Sequence, residues 1–302
     1  MSEWIDPALH RALVTEQTDA IRLFTCREGW VERFGADILI SYKTDRVCDF
    51  LKVELISWAE RVDFPLSRVF ARFLPKKNTD RIAPHLVQGE PGRDLKGVAM
   101  ERGLRYGIDF AAGYSVGLFL DQRENRRFVR ELAPKSLLNC FAYTCSFSVA
   151  GAVAGARTVS IDLSKKSLAR GKENFVLNSV STKDHRFLVD DVMEALPRLV
   201  RRGEKFDVVV LDPPTFSRSH SGKAFHVERD LEKLLVLALE TAEQGGRILL
   251  STNCSDLDAR ALEQMARYGL KLSRRGGQFH QEGPSPDFPP GVGASTVWLS
   301  LR

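Results

Sequence analysis

The chain has 302 residues, more than one ordinary domain holds, with 43% apolar and 27% charged residues. That balance buries a core and excludes a disordered tail protein, a collagen-like chain and a disulfide scaffold. The net charge of +5 is modest, and no run approaches the ~18 uncharged apolar residues a membrane span needs.

The N-terminus, MSEWIDPALHRALVTEQ, is polar and acidic, unlike a basic start followed by an apolar leader, which predicts a cytoplasmic protein with no membrane partner. Residues 1–95 alternate helical patterns (WIDPALHRALVTEQ, VCDFLKVELISWAERV) with strand-like runs (ADILISY, SRVFARF), a small α/β unit that would contact substrate or RNA. Gly, Pro and charge cluster at 88–97, which marks a boundary. Over 97–120, apolar alternation is broken by Gly103, Gly107, Gly113 and Gly117, as in hairpins ahead of the core of a second domain spanning 96–302. The run RENRRFVRE, with Arg123, Arg126, Arg127 and Arg130, reads either as a phosphate-binding surface or as a solvated helix face.

From about 136, short apolar strands alternate with helical stretches: KSLLNCF, SFSVAGAVAG, TVSIDL, SKKSLARGKENFVLNS, HRFLVDD, VMEALPRLVRR, FDVVVLDPP. Strands apolar on both faces, such as VVVL, belong inside a parallel sheet covered by helices, so the fold class is α/β, doubly wound and Rossmann-like. Such sheets bind ligands beyond the carboxyl ends of their strands. Asp162 ends the second strand, where an acid can accept both hydroxyls of a ribose, or with Ser164 cap the next helix. Asp190 and Asp191 end the third strand. Asp191 could accept from an adenine amine while Val192 packs on the ring, or serve as a cap. Asp212, Pro213 and Pro214 end the fourth. Two prolines make a stiff lip without N–H donors, and Phe216 offers a face on which a base can stack.

The ordered segments LNCFAYTCSFSVAGAVAGA, VSIDLS, ENFVLN, VDDVMEAL, FDVVVLDPPTFSRS and GGRILLSTNCS resemble class I S-adenosylmethionine-dependent methyltransferases, and GYSVGLFLDQRENR narrows the likeness to large-subunit ribosomal RNA base methyltransferases of the RlmI and RlmK type. The resemblance covers roughly 97–302. It implies S-adenosyl-L-methionine as cofactor and RNA, ribosomal above all, as partner. It further implies that Asn139 to Ser146, including Phe141, Tyr143 and Thr144, wrap the methionine part. Asp162 with Leu163 would hold the ribose, Asp191 with Val192 the adenine, and Asp212, Pro213 and Pro214 would face the target base. Phe119, Asp121 and Arg123 would close over cofactor or RNA. The family has glycine where this chain has Cys145, a residue whose Cβ resists positive φ and comes nearer the ligand.

Cys254, in LLSTNCSD, matches the cysteine of RlmI-type sequences. Its thiolate could attack C6 of a cytosine so that C5 takes the methyl group, or the residue could simply be a small buried apolar one while a guanine nitrogen is methylated. The five cysteines (Cys26, Cys48, Cys140, Cys145 and Cys254) form no CxxC pair, which predicts reduced thiols and no metal site. His220, Lys223 and His226 lie in a polar stretch expected to cover the site, and 282–293 is expected as a hairpin loop over the same crevice. Three rival readings stand: a nicotinamide dehydrogenase, which the missing GxGxxG argues against; an RNA-binding protein of this fold with weak turnover; and a methyltransferase acting on something other than RNA.

Overall fold

A computed structural model describes residues 4–75, 80–92, 94–218 and 224–302. The chain divides into two compact units, Met1–Leu120 with Ser285–Val292 and Asp121–Pro284 with Gly293–Arg302.

In the first unit, α1 (Pro7–Thr15) starts where the Asp6 carboxylate accepts the Ala8 N–H at 2.6 Å and Pro7 fills the first helical position. Then follow β1 (Ala20–Cys26), β2 (Gly29–Phe34), β3 (Asp37–Tyr42), α2 (Asp45–Arg61), β4 (Arg68–Phe73) and β5 (His85–Gln88). The five strands form one sheet in sequence order, antiparallel except for β3 beside β4, whose parallel pairing needs α2 as its crossover. Leu51, Leu55 and Trp58 of α2 share a core with Ile38, Ile40 and Val69 of the sheet. The hairpin β6 (Lys96–Glu101) and β7 (Leu104–Asp109) belongs to this unit: Asp19 accepts the Met100 N–H at 2.6 Å, Thr18 accepts that of Arg102 at 2.9 Å, and Phe110 stacks on Phe70 at 3.8 Å. The compact unit thus ends at Leu120, not at the Gly/Pro-rich stretch near 95, because the hairpin's polar backbone finds its partners on the loop before β1.

In the second unit the order is α3 (Arg123–Leu132), β8 (Ser136–Cys140), α4 (Ser146–Val153), β9 (Arg157–Asp162), α5 (Lys165–Leu177), β10 (Arg186–Val189), α6 (Val192–Arg201), β11 (Phe206–Leu211), the short hairpin β12 (Phe216–Arg218) and β13 (Ala224–His226), α7 (Val227–Thr241), β14 (Ala242–Thr252), α8 (Ala259–Leu272), β15 (Gly277–His280) and β16 (Ser295–Leu301). The sheet runs β10-β9-β8-β11-β14-β16-β15. The first five strands are parallel, and β16 is antiparallel to both its neighbours. This is the doubly wound α/β sheet expected from the strand pattern. Val208 to Leu211 are buried throughout, which places β11 in the middle. The order reverses between β8 and β11, the topological switch where such sheets open a crevice at their carboxyl ends.

Most of the stretch expected as a hairpin loop, 282–293, is grouped with the first unit. Residues 285–292 belong to the first unit, where Asp287 accepts the Arg22 N–H at 2.7 Å and the Arg22 guanidinium lies 4.4 Å over the Phe288 ring. Among the described residues, no helix is long and apolar enough to cross a membrane.

Candidate active site

The rim above β8, β9 and β10 is built from main-chain groups. Phe141, Tyr143 and Cys145 all have left-handed backbone, with φ of 58°, 47° and 60°. Each such non-glycine residue costs roughly 1 kcal/mol or more, so three in one turn persist only because the surroundings dictate them. Ala142 N–H donates to the Ile161 carbonyl at 2.9 Å and Cys145 N–H to the Ala142 carbonyl at 2.7 Å. Asn174 of α5 donates to the Thr144 carbonyl at 2.9 Å. The Phe141 ring packs 5.4 Å from Phe225, and the Ser146 N–H opens the first turn of α4. The turn's N–H groups of Ala142 and Cys145 are thus held within the protein, and the turn leads directly into the start of α4.

Asp162 closes this rim. One carboxylate oxygen accepts the Tyr143 N–H and the other the Ser164 N–H, both at 2.8 Å. Each oxygen has a second lone pair, so the group can still take a pair of hydroxyls. Burial raises its pKa while those two N–H bonds pull it down. Leu163 is half-buried beside it. Of the pair ending β10, Asp190 is ion-paired with Arg198, and Asp191 caps α6 through the Met193 N–H at 2.8 Å. The cap uses one Asp191 oxygen, and Val192 is buried in the core rather than on the rim.

Cys145 does not intrude on this turn. Its thiol is wholly buried and faces α5, where a Cβ on Gly171 would stand 2.4 Å from the sulfur. Burial pushes that thiol up to about 12. The residue in place of the usual glycine is therefore accommodated by a glycine elsewhere, and its side chain points away from the rim. Asn139 is likewise turned inward: its Nδ2 donates to the Ser148 hydroxyl at 2.9 Å, which shares a hydrogen bond with Ser160 at 2.8 Å. Its side chain ties β8 to α4 and β9 instead of reaching the crevice.

The rim above β11 and β14 is built from side chains. Asp212 is half-buried, with buried Pro213 and exposed Pro214 after it. Burial pushes the Asp212 carboxyl up to about 6, helped by the nearby Asp121 carboxylate and opposed by the Ser251 hydroxyl and the Arg126 guanidinium. Asp121 is held by the Ala294 N–H at 2.9 Å. Cys254 is buried two residues past β14, with its sulfur 3.5 Å from Glu228 Oε1 on α7. Burial, and then the Glu228 carboxylate, raise the Cys254 pKa, so the thiol is protonated with an acceptor beside it.

Two expectations are corrected. Arg123 and Arg126 are 0% and 1% exposed, so the basic run is not a phosphate-binding face and Arg123 does not close over a ligand. The helix carrying them packs its charged side inward, where Arg126 balances Asp212. Arg127 pairs with Glu124, Glu131 and Glu282 at 2.7, 2.6 and 2.7 Å. Phe119 is 43% exposed and lies in the first unit. His226 ends β13, exposed, beside the Phe216 ring, while His220 and Lys223 fall outside the described residues. Sequence reasoning missed Ser251 and Glu228. Ser251 carried a signal, being the residue of β14 that pairing with β11 sets beside the Asp-Pro-Pro lip.

Comparison with known proteins identifies the family. A family model described as S-adenosylmethionine-dependent methyltransferase matches residues 69–294. A protein of Aeromonas salmonicida (strain A449) named ribosomal RNA large subunit methyltransferase I is 32% identical over 74% of this chain and 59% of its own length. Its namesake in Escherichia coli O139:H28 is 32% identical over 75% of this chain and 57% of its own length. The chain thus spans about six-tenths of the length of the curated relatives it matches. The crystal structure of SMU.776, a methyltransferase in complex with SAH, superposes with a TM-score of 0.83 at 24% identity, covering 98% of this chain and 78% of that one, a likeness of fold.

Proposed function

The chain belongs to the S-adenosylmethionine-dependent methyltransferase family, and from that premise we propose that it methylates a base of RNA, with ribosomal RNA as the substrate and cytosine C5 as the acceptor. The compartment we infer is the cytoplasm. The substrate class is supported by the relatives named ribosomal RNA large subunit methyltransferase I. The observation that carries the acceptor atom is the Cys254 sulfur 3.5 Å from Glu228 Oε1, two residues past β14, the strand paired with the one that leads into Asp212-Pro213-Pro214.

The residues fit the cofactor. Asp162 keeps one acceptor site on each oxygen for the ribose hydroxyls, the strained turn 141–145 stands beside it where the methionine part would lie, and Asp191 has an oxygen left beyond its cap for the adenine amine. The cofactor supplies an electrophilic methyl carbon on a sulfonium. On the acceptor side, Asp212 and the carbonyls of Pro213 and Pro214 accept from the N–H groups of the base and hold it in line, which is where most of the rate would come from. Glu228 takes the Cys254 proton and passes it to water, since it is exposed. The sulfur would then bond to C6, leaving C5 electron-rich toward the methyl group that the cofactor would supply. The C5 proton leaves to a base, and the C6–S bond breaks to return the thiolate.

RNA carrying 5-fluorocytosine tests this, because fluorine cannot leave as the C5 proton does. Wild-type protein with S-adenosylmethionine is expected to form a covalent RNA adduct and Cys254→Ala none. Full activity of Cys254→Ala, with a methylated guanine nitrogen found by nucleoside mass spectrometry, would overturn the C5 assignment. No methyl transfer to bulk ribosomal RNA by wild-type protein would overturn the substrate class.

A further inference from the structure

The charge of the chain is unevenly spread. Residues 259–275 carry five Lys/Arg and one acid, a net +4 against +5 for the whole sequence. They form α8 and the turn after it, and the helix starts where Asp258, four residues past Cys254, accepts the Ala261 N–H at 2.7 Å. Leu262, Ala266 and Leu270 are buried in the core, and a Cβ on Gly269 would stand 2.9 Å from Leu235 of α7. At about 3.6 residues per turn, that inner face puts Arg260, Gln264, Arg267 and Lys271 on the outer side, an exposed stripe about 16 Å long.

Two of the five cations are engaged within the fold. Arg267 pairs with Glu263 at 2.5 Å and lies 4.7 Å over the Phe279 ring, and the Arg275 guanidinium donates to the carbonyls of Leu239, Ala242 and Glu243. Arg260, Lys271 and Arg274 are exposed and form no ion pair with a described residue. Tyr268, 50% exposed, and Leu272, 56% exposed, flank the stripe one turn apart. The neighbouring α7 differs: it exposes Glu228, Arg229, Glu232, Lys233 and Glu240, the mixed signs of a solvated face.

Arg274 adds an independent argument. Its φ of 53° is left-handed, one residue past the helix cap Ser273, where glycine is the usual residue because a Cβ is strained. Beyond its attraction to the helix end, an unpaired arginine there does nothing for the fold that glycine would not do better.

We propose that α8 is a contact for the RNA backbone, in which Arg260, Lys271 and Arg274 neutralise phosphates and Tyr268 stacks on an unpaired base beside them. The inference rests on the reading of RNA as the substrate and names where, on this unit, the strand runs once it leaves the acceptor rim. A cationic stripe with an exposed ring fits a single strand, whose phosphates take the cations and whose bases take the ring. Because α8 starts just past Cys254, a strand with its target base at the Asp-Pro-Pro lip can pass directly onto Arg260.

The test is the anisotropy of a labelled single-stranded RNA of about 20 nucleotides, titrated with the full chain over a series of salt concentrations; phosphate contacts are independent of sequence, so the target site is not needed. Arg260→Gln, Lys271→Gln and Arg274→Gln together are expected to weaken binding at least about tenfold at low salt and to make the log–log slope shallower by about 2, at about 0.7 per contact. Tyr268→Ala should weaken binding about fivefold or more with the slope unchanged. Arg274→Gly separates the contact from the fold: it should melt no lower than wild type and still lose about 0.7 of slope. A triple variant with the wild-type slope overturns the contact even where wild type methylates RNA. A flattened slope in a protein whose wild type transfers no methyl group to bulk ribosomal RNA leaves the contact standing and overturns the proposed function. Vesicles of anionic lipid bound through the same three residues, with RNA affinity unmoved by their loss, would overturn the choice of RNA as the partner of this face.

Discussion

The two rims of the crevice are built by different means. Above β8, β9 and β10, polar groups are tied down by main-chain N–H groups two to nineteen positions away: Tyr143 and Ser164 on Asp162, Met193 on Asp191, Ala142 on Ile161. Above β11 and β14, the groups that act on the Asp212 carboxyl are side chains, Asp121, Arg126 of α3 and Ser251 of β14, far apart in the chain. The first construction suits a ligand that is the same in every turnover. The second lets the acceptor side change with a handful of side chains while the backbone stays put.

The sharpest way to break that division is a pair of substitutions with opposite signatures. Asp212→Ala should lower methyl transfer by roughly 100-fold or more, the scale of a mispositioned reactant, with S-adenosylmethionine affinity by calorimetry within about threefold. Asp162→Ala should do the reverse, weakening cofactor binding by ~1.5–3 kcal/mol as two charge-assisted hydrogen bonds are lost. The pH dependence carries the same signature. Burial lifts the Asp212 carboxyl from 3.8 to about 6, so the folded chain binds that proton more tightly than the unfolded one. Its ionised form is needed to accept from the base, so turnover falls as pH drops through about 6. Stability runs the other way: folding is penalised as pH rises from 3.8 to about 6, and the penalty is full above that. Asp212→Asn should therefore melt higher relative to wild type at pH 7.5 than at pH 4. Equal effects of both alanine variants on cofactor affinity would erase the division.

A smaller effect sharpens what holds the main-chain rim. A Cβ on Gly171 would lie 2.4 Å from the Cys145 sulfur and 3.0 Å from its Cβ, so Gly171→Ala should destabilise by ~1–3 kcal/mol, the usual range for overpacking. In a Cys145→Gly background the same change should be nearly neutral. Strictly additive stabilities in a denaturation cycle would show that the two residues do not share this space.

How much was legible follows the same line. The sheet, its carboxyl-end acids and the Asp-Pro-Pro lip could be read because strand apolarity and the acid that ends a strand are local signals. The turn at 141–145 could be placed but not its consequence, since nothing in YTCSFS says that Cys145 faces Gly171 of the following helix. The hydrogen bond from the Trp298 indole to Asn125 spans 173 positions and leaves no local trace. The basic run misled for a partly related reason: RENRRFVRE reads as solvent-facing by charge, whereas Arg127 is paired with Glu124 and Glu131 of the run itself and with distant Glu282, and Arg126 is buried near Asp212.

That error yields the smallest expected effect. A cation that neutralises an RNA phosphate releases counterions, and each contact steepens the fall of affinity with salt by about 0.7 to 0.9 in the log–log slope. Arg127 is already engaged by three carboxylates, so it has little charge to offer a phosphate. Arg127→Gln should leave the salt slope of RNA binding unchanged within about 0.2, well below one contact. Arg126→Gln, at a buried position beside Asp212, should lower folding stability and raise the Asp212 midpoint before it alters any slope. A slope shallower by a full contact in Arg127→Gln would mean that the acidic partners yield to RNA, and the helix face would then count as part of the nucleic-acid surface.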